Sequence, residues 1–158
     1  MTDETTTEET PRADDKRERL LNDLSESFGE ILVESHLRPH EDVWFRVKIE
    51  AWQDAAMVAK GAGFEYFGFL SAIDWHIAPE GRYEDTEFDA GLVEEDDEPV
   101  EIDSSTGYGG GDTRFQLLMQ LYSLNEQVGM ILKADVGDDM TVDTVRDVFP
   151  GADWHARE

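Results

Sequence analysis

The chain has 158 residues, with 38 Asp and Glu against 13 Lys and Arg, and its formal net charge is −25. Such a charge repels nucleic-acid phosphates and argues against direct DNA or RNA binding. The sequence contains no cysteine, which excludes disulfides, a thiolate nucleophile and thiolate ligands for an iron–sulfur cluster. The length fits one domain with a single core.

The hydropathy pattern contains neither an apolar stretch of membrane-spanning length nor a signal peptide. We therefore expect a soluble cytoplasmic chain that reaches a membrane only through its partners. Lysine is scarce, and we interpret the acidic surface as a solvated one rather than as a docking face.

The folded domain is predicted to span residues 13–158, after a disordered acidic segment over residues 1–12. Leu20, Leu24 and Phe28 recur at helical spacing, which predicts a helix that starts at Asp14 or Asp15 and stops at Gly29.

Two short strands are predicted next, over Ile31–Val33 and Val43–Val47. His36 and His40 have a spacing that suits metal binding on a helix. Pro39 lies between them in a predicted turn, so a metal site is not expected there.

A second helix is predicted over Ile49–Lys60, with one apolar face. Residues Phe64–Trp75 are apolar at nearly every position, which favours a central strand covered on both faces. The face of the helix consists of Ile49, Trp52, Ala56 and Ala59.

Residues 76–112 form a long acidic, glycine-rich loop in this prediction. Its glycines lack the Gly-Lys-Ser/Thr ending of a phosphate-binding loop, and its acids lack the spacing of the twelve-residue calcium motif. We interpret it as a solvated loop that contacts a neighbouring subunit.

A hairpin is predicted after this loop, because two runs with apolar residues at every second position are joined by a few polar residues. The first run starts at Phe115 and the second at Val128, with Lys133 and Asp135 facing outward. Thr141 is then expected to cap a short helix that Pro150–Gly151 ends.

These elements together predict an α+β fold, in two layers, with a mixed or antiparallel sheet of four to five strands and helices packed on one face. The final residues, from Ala152, show neither helical nor strand periodicity. A surface turn and an interface site both remain open for them, since Trp and Arg are favoured interface anchors. No catalytic residue is predicted, because His76 and His155 lack a nucleophile and Ser104–Ser105 do not lie in a nucleophile elbow.

The run FPGADWHARE resembles a motif of the 30-kDa subunit of respiratory complex I, the proton-pumping NADH:quinone oxidoreductase. Ala156 departs from that motif, which usually has a carboxylate there. The segments FLSAIDW, GRYED and GGDTRFQ resemble the actinobacterial long-loop version of the family. The matching positions are Phe149, Pro150, Ala152, Asp153, Trp154, Arg157 and Glu158.

This resemblance implies a cofactor-free member of the peripheral arm, with no catalytic, cofactor-binding or metal-binding residues of its own. It would brace the 49-kDa quinone-site subunit on the cytoplasmic side of the plasma membrane. NAD, FMN, iron–sulfur clusters and quinone would be held by partner subunits. The family's extended tail along the 49-kDa subunit is missing here, so we expect either a truncated sequence or a natural short form.

The same resemblance implies an interface with the 49-kDa subunit. Phe149 and Trp154 would be its anchors, Arg157 would pair with a carboxylate, and Asp153 and Glu158 would fix the turn after Pro150. Two alternatives stay open: the same scaffold role in a membrane-bound hydrogenase or a ferredoxin- or deazaflavin-dependent complex, and a stand-alone acidic binding module.

Overall fold

The computed structural model describes residues 14–75 and 107–157 of the chain. Within these ranges three α-helices and five strands follow one another. Their bounds are α1 Asp15–Phe28, β1 Leu32–His36, β2 Val43–Val47, α2 Trp52–Gly61, β3 Tyr66–Asp74, β4 Phe115–Ser123, β5 Val128–Asp135 and α3 Ala152–His155. The predicted first helix, both early strands, the second helix and the hairpin are confirmed.

The five strands form one mixed sheet in the order β1-β2-β5-β4-β3. Strand β2 runs parallel to β5, with Phe45 opposite Leu132, while the other neighbouring pairs are antiparallel. The predicted α+β class and strand number are therefore confirmed.

The prediction that Phe64–Trp75 forms a central strand is wrong, because β3 lies at the edge of the sheet. The central position belongs to β5, in which every residue from Val128 to Ala134 is buried. Apolar residues on both faces indicate that both faces are covered, but they do not specify which strand has two neighbours. The faces of β3 are also less covered than predicted, since Tyr66 is 55 % exposed.

Both long helices pack on the same face of the sheet and form the core with it. The ring of Phe28 on α1 meets that of Phe45 on β2 edge-on at 5.2 Å. The small residues Ala55, Ala56 and Ala59 of α2 are fully buried, which lets this helix approach the sheet closely. The prediction of helices on one face is confirmed.

The opposite face of the sheet carries a polar network below residues 107–111. Lys133 donates a hydrogen bond from Nζ to the carbonyl of Tyr108 at 3.0 Å, and Arg46 donates from Nε to the carbonyl of Gly109 at 2.8 Å. Arg46 also pairs with Asp135 at 2.8 Å. This network fastens the glycine-rich segment to the sheet.

The prediction that Lys133 faces solvent is wrong, because its side chain is only 1 % exposed. It points to the expected face, opposite the core, but that face is covered. Burial lowers the pKa of Lys133 to about 8, although the nearby carboxylate of Asp135 acts in the other direction.

No helix forms over Val142–Phe149, contrary to the prediction. Four β-branched residues and two aspartates lie in this segment, and both residue types disfavour a helix. Pro150 further restricts the backbone of Phe149. A single turn forms instead, in which the amide of Phe149 donates to the carbonyl of Val145 at 2.8 Å.

Candidate functional site

The predicted interface residues lie on and around α3, which follows the turn at Pro150–Gly151. This turn packs against the first half of β3. A Cβ atom at Gly151 would lie 3.1 Å from a ring carbon of Phe67, so glycine allows the close approach. The ring of Phe67 also meets His155 edge-on at 5.4 Å. Phe67 thus supports α3 on the sheet.

Phe149 holds this turn from inside the molecule. It is 2 % exposed, and its ring lies 5.9 Å from that of Phe67. Lys60 of α2 donates from Nζ to the carbonyl of Val148 at 2.7 Å and lies 5.3 Å from the ring of Phe149. An interface anchor is a surface residue in the free chain, so the anchor role expected for Phe149 is corrected to a core role.

Charged side chains brace the outer side of α3. Arg157 donates from Nη2 to Asp153 at 2.8 Å, four residues earlier, and Arg146 lies 3.9 Å from the same carboxylate. Asp153 thus contacts two arginines beside the turn, and Arg157 has a carboxylate partner within the chain. Pairs this exposed contribute little to stability, about 0.2–1 kcal/mol each. Pro150 is exposed, and Glu158 lies outside the described residues.

Trp154 is 78 % exposed, more than any other large apolar residue in the described part of the chain. It stands on a helix that is held by Phe67 from below and by the Asp153–Arg157 pair at its side. A large apolar side chain on a braced turn is costly to leave in water, and aromatic residues of this kind are typical anchors of protein interfaces.

An apolar groove of about 910 Å³ lies beside α3. Its floor is formed by Leu70 and Ala72 of β3 and by Leu117 of β4, and its far side includes residues 142–145. His155 and Ala156 line it from the α3 side. Ala156, the position that departs from the motif, thus contributes a methyl group to this groove.

Among residues 14–75 and 107–157, no group of three or more His, Asp or Glu side chains is arranged to hold a metal ion. His36 instead stacks on Tyr108 with ring centroids 5.0 Å apart, and His40 lies 3.6 Å from Asp14. His76 and Ser104–Ser105 fall outside the described residues.

A family comparison matches residues 45–158 to the model of the respiratory-chain NADH dehydrogenase 30 Kd subunit. The matched range covers the larger part of the chain and includes both the sheet from Phe45 onward and the Trp154 turn. The chain belongs to this family.

Relatives of the 30-kDa subunit family agree with this assignment. The corresponding NADH-quinone oxidoreductase subunits of two Rhodopseudomonas palustris strains, TIE-1 and ATCC BAA-98 / CGA009, are each 42 % identical over 57 residues. That match takes in 35 % of this chain and 27 % of each relative. The match thus spans about a quarter of the length of these relatives.

Two solved structures share the fold of this 30-kDa family member. A trypsin-resistant fragment of Nqo5 superposes with a TM-score of 0.57 at 15 % identity, over 90 % of this chain and 87 % of the fragment. A chain of the membrane-bound sulfane sulfur reductase, an archaeal respiratory membrane complex, gives a TM-score of 0.60 at 17 % identity, over 90 % and 64 %. At such identities the likeness concerns the fold.

Of the helices in the described ranges, none has the length and apolar character needed to cross a membrane.

The sequence did identify the Trp154 turn, but it missed both the groove beside α3 and the polar network around Lys133. The groove combines residues from β3, β4 and the segment after β5, which are far apart in the chain. The apolar run in β3 was the one sequence feature that indicated this groove.

Proposed function

We propose that this chain is a structural subunit of the peripheral arm of a membrane-associated NADH:quinone oxidoreductase. In this role it braces the 49-kDa subunit that helps to form the quinone site. It is attached on the cytoplasmic side of the plasma membrane through the complex. The membership in the 30-kDa subunit family supports this proposal.

The single observation that carries the contact with the partner is Trp154, which is 78 % exposed on a braced turn. Trp154 is the anchor, Pro150 sets the direction of the turn, and the Asp153–Arg157 pair holds the turn in place. Burying a large aromatic side chain at the centre of an interface contributes several kcal/mol in favourable cases.

Electron transfer in this proposal takes place on other chains. The sequence has no cysteine for iron–sulfur clusters and no dinucleotide fingerprint. NAD, FMN, the clusters and quinone are therefore assigned to partner subunits. This chain contributes rigidity and contact area.

Trp154→Ala tests the anchor. We expect the affinity for the 49-kDa subunit to fall by more than about 1 kcal/mol, because the main apolar contact is lost. Leu124→Ala is the matched control, since Leu124 is 72 % exposed but lies in the turn between β4 and β5. Binding is measured by isothermal titration with the purified 49-kDa subunit, and stability by chemical denaturation.

Unchanged affinity of Trp154→Ala, or an equal loss in Leu124→Ala, would contradict the anchor role. The free energy of unfolding of Trp154→Ala should stay within about 0.5 kcal/mol of the parent chain, as for other exposed positions.

A second candidate is the same scaffold role in a respiratory membrane complex with a different electron donor, such as a membrane-bound hydrogenase or a ferredoxin- or deazaflavin-dependent complex. The fold shared with the sulfane sulfur reductase chain favours it. Neighbouring genes for an NADH- and flavin-binding subunit would support the first candidate, and their absence beside hydrogenase-type genes would support the second.

A further inference from the structure

The groove beside α3 runs along the edge of the sheet. Strand β3 pairs with β4 on one side, and no strand within the described residues pairs with it on the other. The groove is lined by Phe69, Leu70, Ser71 and Ala72, which are consecutive. Because neighbouring residues of a strand point to opposite faces, a groove on one face would touch only alternate residues. This groove therefore reaches the backbone edge of β3 as well as the sheet face that Leu117 and Trp52 line.

This edge lacks the protection that exposed edges usually carry. From Tyr66 to Ile73 the strand contains no charged residue and no proline, the features that normally prevent pairing with another chain. A bulge at Gly68 lies near its beginning, before the groove-lining residues. The stretch Phe69–Ala72 is thus suited to accept a further strand.

One end of the groove is acidic. A second pocket, of about 370 Å³, shares Val142 and Asp143 with it and is also lined by Glu50 and Asp139. None of these three carboxylates forms an ion pair with any residue in the described ranges. Neither pocket is lined by a lysine or an arginine.

We propose that this groove binds an extended cationic segment of a partner protein. The segment adds to β3 as a sixth strand, places apolar side chains against Leu70, Ala72 and Val142, and directs a lysine or arginine to Glu50, Asp139 and Asp143. Trp154 itself does not line this groove, although its neighbours His155 and Ala156 do.

Charge decides between the possible occupants. A second copy of the chain also carries a formal net charge of −25 and is repelled. The acidic residues 94–98 of the chain itself are repelled by the same three carboxylates. A positively charged segment is attracted to these three carboxylates.

The direct test uses a fluorescein-labelled peptide of alternating Val and Lys, with an alternating Val and Glu peptide for comparison. We expect the basic peptide to bind the full chain and to slow hydrogen exchange at those amides of Phe69–Ala72 that point away from β4. The acidic peptide should not bind. Absence of binding by the basic peptide, or binding without protection at β3, would overturn the proposal.

Matched variants separate the groove from general charge attraction. Ala72→Lys introduces a positive charge at the groove, and we expect it to weaken binding of the basic peptide about tenfold, or about 1.4 kcal/mol. Met57→Lys adds the same charge at a 50 % exposed position of α2 that does not line the groove, and should change binding less than about twofold. Equal effects of the two variants would overturn the proposal.

The acidic end is tested by Asp143→Asn, which should weaken binding about two- to fivefold at low ionic strength, as expected for an exposed ion pair. Glu26→Gln removes a carboxylate from α1 and is the control. Binding that appears only after residues 76–106 are replaced by a Gly-Ser linker would show that the chain fills its own groove. Concentration-dependent dimerisation through β3 would show a second copy. Either result would overturn the proposal.

Discussion

Lys133 illustrates, at the scale of a single residue, how a regular pattern misleads about exposure. Alternation along β5 correctly places Lys133 opposite the core, yet its side chain is buried between the carbonyl of Tyr108 and the ring of Trp75, 5.4 Å from its Nζ. The covering segment lies some 25 residues earlier in the chain. Local periodicity carries no information about such a contact.

Lys133 also gives a pH dependence whose sign follows from its lowered pKa. Between about 8 in the folded chain and 10.5 in the unfolded chain, the unfolded state binds more protons. Stability therefore rises with pH across this window, by up to about 1.4 kcal/mol per pH unit. Lys133→Met should lose this rise, as measured by chemical denaturation at several pH values. If the free energy of unfolding changes with pH in the same way in the parent chain and in Lys133→Met, the burial of the charged lysine would be contradicted.

Phe149 and Trp154 show a similar limit within a single motif. Both are aromatic residues beside the Pro150 turn, yet one is 2 % and the other 78 % exposed. The sequence marked both as anchors because the motif does not separate a residue that supports the turn from one that the turn displays. The backbone direction after Pro150 makes that distinction.

At the scale of elements, α3 depends on contacts with β3 more than on its own sequence. Four residues are too few for a stable isolated helix, so packing must supply the stability. The contacts are those of Phe67 with Phe149 and His155, together with the buried methyl group of Ala152. The sequence showed no helical period here, because a single turn is too short to display one.

Phe67→Ala should therefore release α3 while leaving the sheet folded. We expect the free energy of unfolding to fall by about 2–3 kcal/mol, somewhat less than for a fully buried phenylalanine. Hydrogen exchange at Ala156, whose amide donates to Ala152, should become faster. Tyr66→Ala is the control, because Tyr66 is 55 % exposed and packs on Tyr122 instead.

Equal exchange rates at Ala156 in both variants would contradict the role of Phe67 as the residue that supports α3. In the proposed complex, Phe67→Ala should also weaken binding to the 49-kDa subunit, because a mobile Trp154 loses more conformational entropy on binding.

At the scale of the whole molecule, the sequence predicted the elements better than their arrangement. Strand Val43–Val47 and the hairpin follow from local alternation and from a short polar turn. The parallel pairing of β2 with β5 joins residues nearly 90 positions apart, and this pairing leaves β3 at the edge. Hydrophobic pattern alone does not rank such long-range pairings.

The same limit explains the candidate sites. The Trp154 turn is contiguous in sequence and was found from its motif. The groove beside it depends on strand order, since it reaches a backbone edge that exists only because β3 has one neighbour within the described sheet. Had β3 been central, as the pattern suggested, the edge would not exist.

We propose that this member of the 30-kDa subunit family works as a scaffold within a quinone-reducing complex. The most direct measurement is a native pull-down of the chain from detergent-solubilised membranes of its source, with mass spectrometry of the recovered proteins and an assay of NADH oxidation by quinone. The account predicts recovery of the 49-kDa subunit and of cluster-bearing subunits, together with that activity. Recovery of the chain alone, folded and without partners, would contradict it.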